Sequence, residues 1–395
     1  MVKKFKNVFM IVADSMGIGK DQKQESFGDN GANTFLHVWQ NYDLQIPNLK
    51  KLGIEALVSL KDKNEDLKPQ AYVGKIFAKS NAKDTLAGHW EMMGIQTKVA
   101  NPNFIEKGFP DELIKELEKA FDGRKIIGNE NASGTEILKR LAHREIENNE
   151  IIVYTSPDST LQICGHEEHM GLENLYRYAK AARQICSSKS IWNVARVIAR
   201  PYVGQNGSYT RTFNRHDYAN KPSETLLNSL QKAKIQTIAV GKINDIFVGQ
   251  AIDKVYPPAS DVENMDVAIE IAKTKKENQF VFVNLVEFDS HYGHRRDVIG
   301  YGKNIDSFDK KLGELLEVLS DDDLLIITAD HGNDPTFPGS SHTREALPLI
   351  VYSKAFKNPS YLKTLLGLGT SGNIVARNFG LKTIETGEDI WDKLK

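Results

Sequence analysis

Short, almost continuous apolar runs recur along the chain at residues 8–13, 151–154, 197–199, 237–240, 280–286, 324–328 and 347–352. Each is the length of a strand. Between several of them lie stretches with helical spacing of apolar positions, such as Glu112-Leu113-Ile114-Lys115-Glu116-Leu117 and Phe308 to Leu316. Unbroken apolar strands alternating with helices predict an α/β fold, with a parallel-rich sheet buried between helices on both faces. Ser133-Gly134-Thr135-Glu136 ahead of Ile137-Leu138-Lys139-Arg140-Leu141 has the spacing of a capping box and is read as a structural helix start. Asp321-Asp322-Asp323 is read as a solvated turn before a strand, and no internal repeat or low-complexity tract is present.

Three of the apolar runs stop abruptly in residues that carry chemistry. Ile326-Ile327-Thr328-Ala329 ends in Asp330-His331-Gly332-Asn333, with His342 eleven residues beyond His331. Phe280 to Leu285 runs into Asp289 and His294, and Val8 to Ala13 runs into Asp14. In open α/β sheets ligands bind outside the carboxyl ends of the strands, so residues far apart in sequence converge there. Taken singly, an aspartate after a buried strand is as well explained by a turn or a helix cap. His294 and His331 sit in polar loops with no apolar face to fill, and six such groups together point to a metal centre.

Three carboxylates and three imidazoles suit two divalent ions, and two ions (+4) against three aspartates (−3) leave a net +1 that attracts phosphate. Paired metal ions stabilise both the attacking and the leaving oxygen of an in-line displacement. A nitrogen and oxygen donor set without sulfur admits manganese, zinc or magnesium. A nucleophile is offered by Lys83-Asp84-Thr85-Leu86-Ala87-Gly88-His89-Trp90-Glu91, where a hydroxyl stands at a polar turn before a helical stretch. A helix N-terminus favours developing negative charge, and a metal makes a weak alcohol reactive. Read from that segment alone, Thr85 fits an N-cap better than a nucleophile.

At 395 residues the chain is long for one core, and it carries 40% hydrophobic and 26% charged residues with a net charge of −1. That balance gives no ground for a nucleic-acid partner. Lys3-Lys4-Phe5-Lys6 followed by Val8 to Ala13 superficially resembles a signal peptide, but the apolar run is short and ends in Asp14 without a cleavage site, so a first strand is expected. No run approaches the roughly 20 apolar residues of a membrane span. The two cysteines, Cys164 and Cys186, form no close pair, which favours neither a disulfide framework nor a thiolate metal site, and a reducing cytoplasm is the expected location. The metal-type residues all lie before residue 90 or after residue 288, leaving a middle stretch with its own strands and helices, which is read as an inserted domain.

Several segments together carry a closer likeness. They are Asp14-Ser15-Met16-Gly17-Ile18-Gly19, Asp84-Thr85 through Glu91, Gly128-Asn129 with Ala132 to Glu136, Arg211 to Tyr218, Phe288-Asp289 with Gly293 to Asp297, and Thr328 to Asn333 with His342-Thr343-Arg344-Glu345. In these the chain resembles the phosphopentomutases of the alkaline phosphatase superfamily over nearly its whole length. The resemblance implies an alkaline phosphatase-like core at 1–98 and 223–395 and an inserted α+β cap at 99–222 that moves over the site. It implies two Mn(II) ions, one held by Asp14, Asp330 and His331 and the other by Asp289, His294 and His342, with Thr85 bridging them as the phosphorylated nucleophile. The activity it implies is isomerisation of ribose or deoxyribose 1-phosphate to the 5-phosphate through a sugar 1,5-bisphosphate, in nucleoside and deoxyribose catabolism. A sugar bisphosphate such as glucose 1,6-bisphosphate would prime the enzyme. Substrate phosphate contacts fall by the same likeness to Arg200, Arg211, Arg215 and Lys242, and sugar contacts to Ser156 and Asp158. Arginine suits a second phosphate grip because its planar guanidinium bonds in pairs and stays charged. The rival readings are a phosphatase using the same nucleophile and metals, a relative of the serine-dependent phosphoglycerate mutases, and a metal-binding scaffold without catalysis.

Overall fold

The computed structural model describes residues 4–58, 68–156, 159–205, 207–274 and 276–394. In chain order its strands are β1 (Asn7–Ala13), β2 (Tyr72–Phe77), β3 (Ile126–Asn131), β4 (Ile151–Thr155), β5 (Thr160–His166), β6 (Arg196–Gln205), β7 (Ser208–Arg211), β8 (His216–Ala219), β9 (Gln236–Val240), β10 (Lys254–Tyr256), β11 (Gln279–Leu285), β12 (Asp323–Thr328), β13 (Leu347–Tyr352) and β14 (Leu365–Leu366). The chain divides into two compact units, one of residues 1–99 with 222–395 and one of residues 100–221.

Among the described residues, the first unit holds a sheet ordered β10-β9-β11-β1-β12-β13-β2-β14. β1 lies at its centre, parallel to β11 and β12, and every residue of all three strands is buried. Burial on both faces is why these strands read as unbroken apolar runs rather than alternating ones. The register pairs Ala13 with Leu285 and Val12 with Thr328, so the three strands finish side by side. β13 alone runs against its neighbours, and β2, antiparallel to β13, therefore points the same way as β1. The carboxyl ends of β1, β2, β11 and β12 and the amino end of β13 thus share one edge of the sheet. Asp14, Asp289, Asp330, Thr85 and His342 all lie in the connections at that edge.

The second unit is a mixed sheet ordered β3-β4-β5-β6-β7, with β8 pairing β6. Its two faces carry separate apolar clusters. Ile151 and Val153 pack with the helices Asp111–Ala120 and Leu172–Ser188, whereas Ile152 and Tyr154 pack with the helix Gly134–Asn148. The alternation follows the two-residue period of a strand, and it gives this unit the α+β character expected of an insertion.

Some local readings need correction. Ser133 does precede the helix Gly134–Asn148, but its side chain makes no capping bond. Glu136, the expected partner, instead accepts from Lys139 Nζ at 3.1 Å. The capping boxes that do form belong to Ser260 with Glu263 and Thr225 with Asn228. Asp323 is no solvated turn residue: it opens β12, is 1% exposed, and accepts bonds from Ser320 and from the Asn7 amide. β2, β3, β5, β7, β8, β10 and β14 were not foreseen, because their sequences mix polar residues, glycine and short apolar stretches that tertiary burial alone makes into strands.

Candidate active site

Asp14 follows β1 directly and is fully buried. Ser15 next to it takes a left-handed backbone conformation (φ 71°), which aims its amide at Asp330 Oδ1 at 3.0 Å. Asn284, a polar residue in the otherwise apolar β11, donates to Asp14 Oδ2 at 2.9 Å. Beyond β11 the chain makes a π-helical turn, Phe288–Gly293, a form that occurs at functional sites. Its wide i→i+5 bond, His294 N to Asp289 O at 2.9 Å, brings both residues to one side, and their side chains meet at 3.1 Å. Asn333 orients the same carboxylate by donating to Asp289 Oδ1 at 2.7 Å.

After β12, paired backbone bonds between Gly332 and Thr343 at 3.1 and 2.8 Å bring His342 beside His331. Their rings stack with centroids 3.9 Å apart. Glycine is required at 332, since a β-carbon there would lie 2.6 Å from the Glu345 carboxyl carbon. Two groups of ligand atoms result, Asp14 with Asp330 and His331, and Asp289 with His331 and His342, each with all atoms within 4.8 Å of one another. His294 joins the second group through a 3.0 Å approach of its Nε2 to His342 Nε2.

The imidazoles share one feature that decides their chemistry. His294 Nδ1 lies 2.7 Å from Ser340 O, His342 Nδ1 2.8 Å from Lys83 O and His331 Nδ1 3.1 Å from Gly332 O. A carbonyl only accepts, so each Nδ1 carries a proton and Nε2 is the ring nitrogen left facing the aspartates. Asp14 Oδ1 and Asp330 Oδ2 are buried and accept no hydrogen bond from the described residues. Burial raises the pKa of Asp14, and the nearby charge of Asp330 raises it further. Burial acts in the same direction on Asp289, but His342 and His294 overrule it and hold that carboxyl well below its usual range. On His331, burial disfavours the proton, yet Asp330 and Asp14 outweigh it and lift the pKa well above the ordinary imidazole value. Crowded, buried acids with orphaned oxygens facing tethered imidazole nitrogens fit divalent cations by charge and by donor type.

Thr85 stands at the first position of the helix Thr85–Met92, where the cap is Asp84, whose side chain accepts from Ala87 N at 3.1 Å. The threonine is thereby released from capping, contrary to the simplest reading of that segment. Its Oγ1 lies 3.2 Å from His331 Nε2. His89, one turn along, bonds Thr85 O through Nδ1 at 2.9 Å and approaches Asp330 Oδ2 at 3.2 Å.

These ligand positions now meet what is known of similar chains. A family model described as the metalloenzyme superfamily matches residues 6–383. A phosphopentomutase of Agathobacter rectalis is 49% identical over 387 residues, covering 97% of each chain, and one of Clostridium beijerinckii is 46% identical over the full length of both. The chain belongs to the phosphopentomutase family. It is thus an isomerase of the metalloenzyme superfamily acting on sugar phosphates. Phosphoglycerate mutase of Leishmania mexicana, 11% identical, superposes with a TM-score of 0.51 over 98% of this chain and 97% of its own, which shows a shared fold.

The residues expected to hold substrate are spread more widely. A pocket of about 440 Å³ within the second unit is lined by Ser156, Arg200 and Arg211, together with Asn131, Ser133, Gly134, Tyr154 and Gln162. Gln162 Oε1 accepts from both Tyr154 Oη and Arg200 Nε at 2.9 Å. Burial lowers the pKa of Arg200, and the charges of Arg215 and Arg211 lower it further. That crowding of cations beside the amino end of the helix Gly134–Asn148 favours an anion. Arg215 does not line the pocket and is paired with Asp217 at 2.7 and 2.6 Å. Lys242 is half-buried in the first unit, just after β9, and Asp158 lies outside the described residues. Gln162, Tyr154, Asn284, Asn333 and His89 were not singled out in the sequence. Only Asn284 and Asn333 left a signal there, as polar residues in or just after an apolar strand.

Proposed function

We propose that the protein interconverts ribose 1-phosphate and ribose 5-phosphate, or their deoxyribose counterparts, with Thr85 carrying the phosphoryl group. The observation that carries this reading is the approach of Thr85 Oγ1 to His331 Nε2, because His331 belongs to both ligand groups. Asp14, Asp330 and His331 would hold one Mn(II), and Asp289, His294 and His342 the other. Bound there, two divalent cations supply Lewis-acid stabilisation of the phosphoryl oxygens and lower the pKa of the alcohol.

In the forward direction the phosphoryl group leaves Thr85 Oγ for the 5-oxygen of the sugar 1-phosphate. The new O–P bond forms as the Thr85 bond breaks, and the proton of the 5-hydroxyl is passed to the threonine oxygen. The resulting 1,5-bisphosphate turns and returns its 1-phosphoryl group to Thr85, leaving the 5-phosphate as product. Escape of the bisphosphate leaves Thr85 unphosphorylated, which is why a primer such as glucose 1,6-bisphosphate is required. Arg200 and Arg211, in the pocket described above, have the charge and the paired donors to grip a phosphate that is not reacting. Arg215 and Lys242 are the further cations of this reading, and Ser156 is the sugar contact.

Purified protein supplied with Mn(II), ribose 1-phosphate and a trace of glucose 1,6-bisphosphate, followed by phosphorus NMR, should yield ribose 5-phosphate. Free phosphate in its place would establish a phosphatase instead. Thr85→Ala should abolish turnover while two Mn(II) remain bound by calorimetry, and retained mutase activity would remove the threonine from the mechanism.

A further inference from the structure

The connection from β2 to the helix Thr85–Met92 carries the proposed nucleophile yet makes few backbone bonds to itself. Its polar groups go instead to side chains from elsewhere. Arg344, 2% exposed, donates through Nη1 to Ser80 O at 2.8 Å and to Ala82 O at 3.0 Å, and through Nη2 to Ala78 O. Its remaining donor, Nε, is anchored by Asp21 at 2.8 Å. On the amide side, Glu91, fully buried on the same helix as Thr85, accepts from Lys79 N at 2.8 Å and Ser80 N at 2.7 Å. The next carbonyl after those held by Arg344, that of Lys83, is bonded by His342 Nδ1.

We propose that Arg344 is a positioning residue for the phosphoryl-transfer step, fixing the height of Thr85 above the ligand cluster by holding three carbonyls of the segment that delivers it. Arg344 and His342 are two residues apart, so one short segment grips the nucleophile's connection and also supplies a ligand imidazole. The two reacting parts are thereby set relative to each other by a single rigid piece of backbone. Only arginine serves here. Three carbonyl oxygens and a carboxylate need donors in a fixed planar array, and a lysine ammonium reaches at most part of that set. This inference rests on Thr85 being the nucleophile.

Arg344→Lys keeps the charge beside Asp21 while giving up the three-carbonyl grip, and Arg344→Met removes both. In the full-length Mn(II)-loaded protein, Arg344→Lys is expected to lower kcat about 100-fold, the scale of a 1 Å misplacement of a reacting group, with KM within about three-fold. Two Mn(II) should still bind, and amide exchange at Lys79, Ser80 and Asn81 should quicken in mass-spectrometric measurements. A role confined to folding predicts lower thermal stability with unchanged kcat per folded molecule, and that result would overturn the proposal. So would a kcat loss without faster exchange at 79–81, or one matched by loss of Mn(II). If Arg344→Met does not fold, Arg344→Lys alone carries the test. Retained turnover in Thr85→Ala would defeat the nucleophile reading, whereas the exchange rates report on the Arg344 grip whatever Thr85 does.

Discussion

Gly88 sits one turn into the helix that begins at Thr85, where it faces Asp330, two residues beyond β12. A β-carbon at this position would lie 2.7 Å from Asp330 Cβ and 2.9 Å from its carbonyl carbon. Carbon atoms rest at about 3.5–4.0 Å, so Gly88→Ala must drive helix and aspartate apart by about 1 Å. Helix propensity works in the other direction, favouring alanine by about 1 kcal/mol. Overpacking a tight site costs about 1–3 kcal/mol, so the net effect on stability is small, from neutral to about 2 kcal/mol of loss. Function has no such compensation, because the displaced residue is Asp330 and the displaced helix carries Thr85. A shift of that size predicts roughly 100-fold lower kcat together with weaker Mn(II) binding at one of two sites. Calorimetric titration with Mn(II), thermal melts and steady-state kinetics on one preparation separate these effects. Wild-type Mn(II) affinity and kcat in Gly88→Ala, with a raised melting temperature, would show that the helix and the end of β12 slide past one another freely and would refute the reasoning.

Two further outcomes are expected. Arg211→Ala should raise KM for the sugar phosphate by about 10- to 150-fold, the worth of a charge-assisted bond of about 1.5–3 kcal/mol, with Mn(II) binding unaltered; an unchanged KM would remove Arg211 from the phosphate grip. Glu145, on the helix Gly134–Asn148, has its pKa pushed up to about 7 by burial, against the bonds it accepts from Tyr202 Oη and His166 N. The folded state therefore keeps this proton to higher pH than the unfolded state, and the stability so gained is full below about pH 4.5 and is lost as the pH rises through about 7. At about 1.4 kcal/mol per unit the loss is roughly 3 kcal/mol, so in urea denaturation of the full chain the wild type should fall behind Glu145→Gln by that amount between pH 5 and 8. Parallel stability curves for the two proteins would contradict it.

The central strands were legible because burial on both faces writes itself as unbroken apolar sequence. Each of three of these strands is followed within a few residues by an acid, Asp14, Asp289 or Asp330, which made the residue types of the candidate site readable as well. The second unit was harder. β5 reads Thr-Leu-Gln-Ile-Cys-Gly-His, yet all seven residues are buried, and Gln162 is polar inside because it serves Tyr154 and Arg200. Nothing local distinguishes such a strand from a loop. The capping spacing at Ser133 misled because Glu136 has a closer partner at Lys139, and Thr85 looked like a cap until Asp84 was seen to occupy that role.

What the amino-acid sequence determined by itself was therefore the chemistry on offer: three carboxylates, three imidazoles and a hydroxyl, each tied to the end of a strand or the start of a helix by short-range pattern. What only the tertiary structure decided was which nitrogen of each histidine faces the carboxylates, which strands finish side by side, and which side chains hold the connection before Thr85. The His342 proton is fixed by a carbonyl 259 positions away, and Arg344 meets Ser80 across 264. Propensity and periodicity act over a few residues, whereas backbone carbonyls look alike everywhere in a chain. Their choice of partner is set only when the sheet edge assembles.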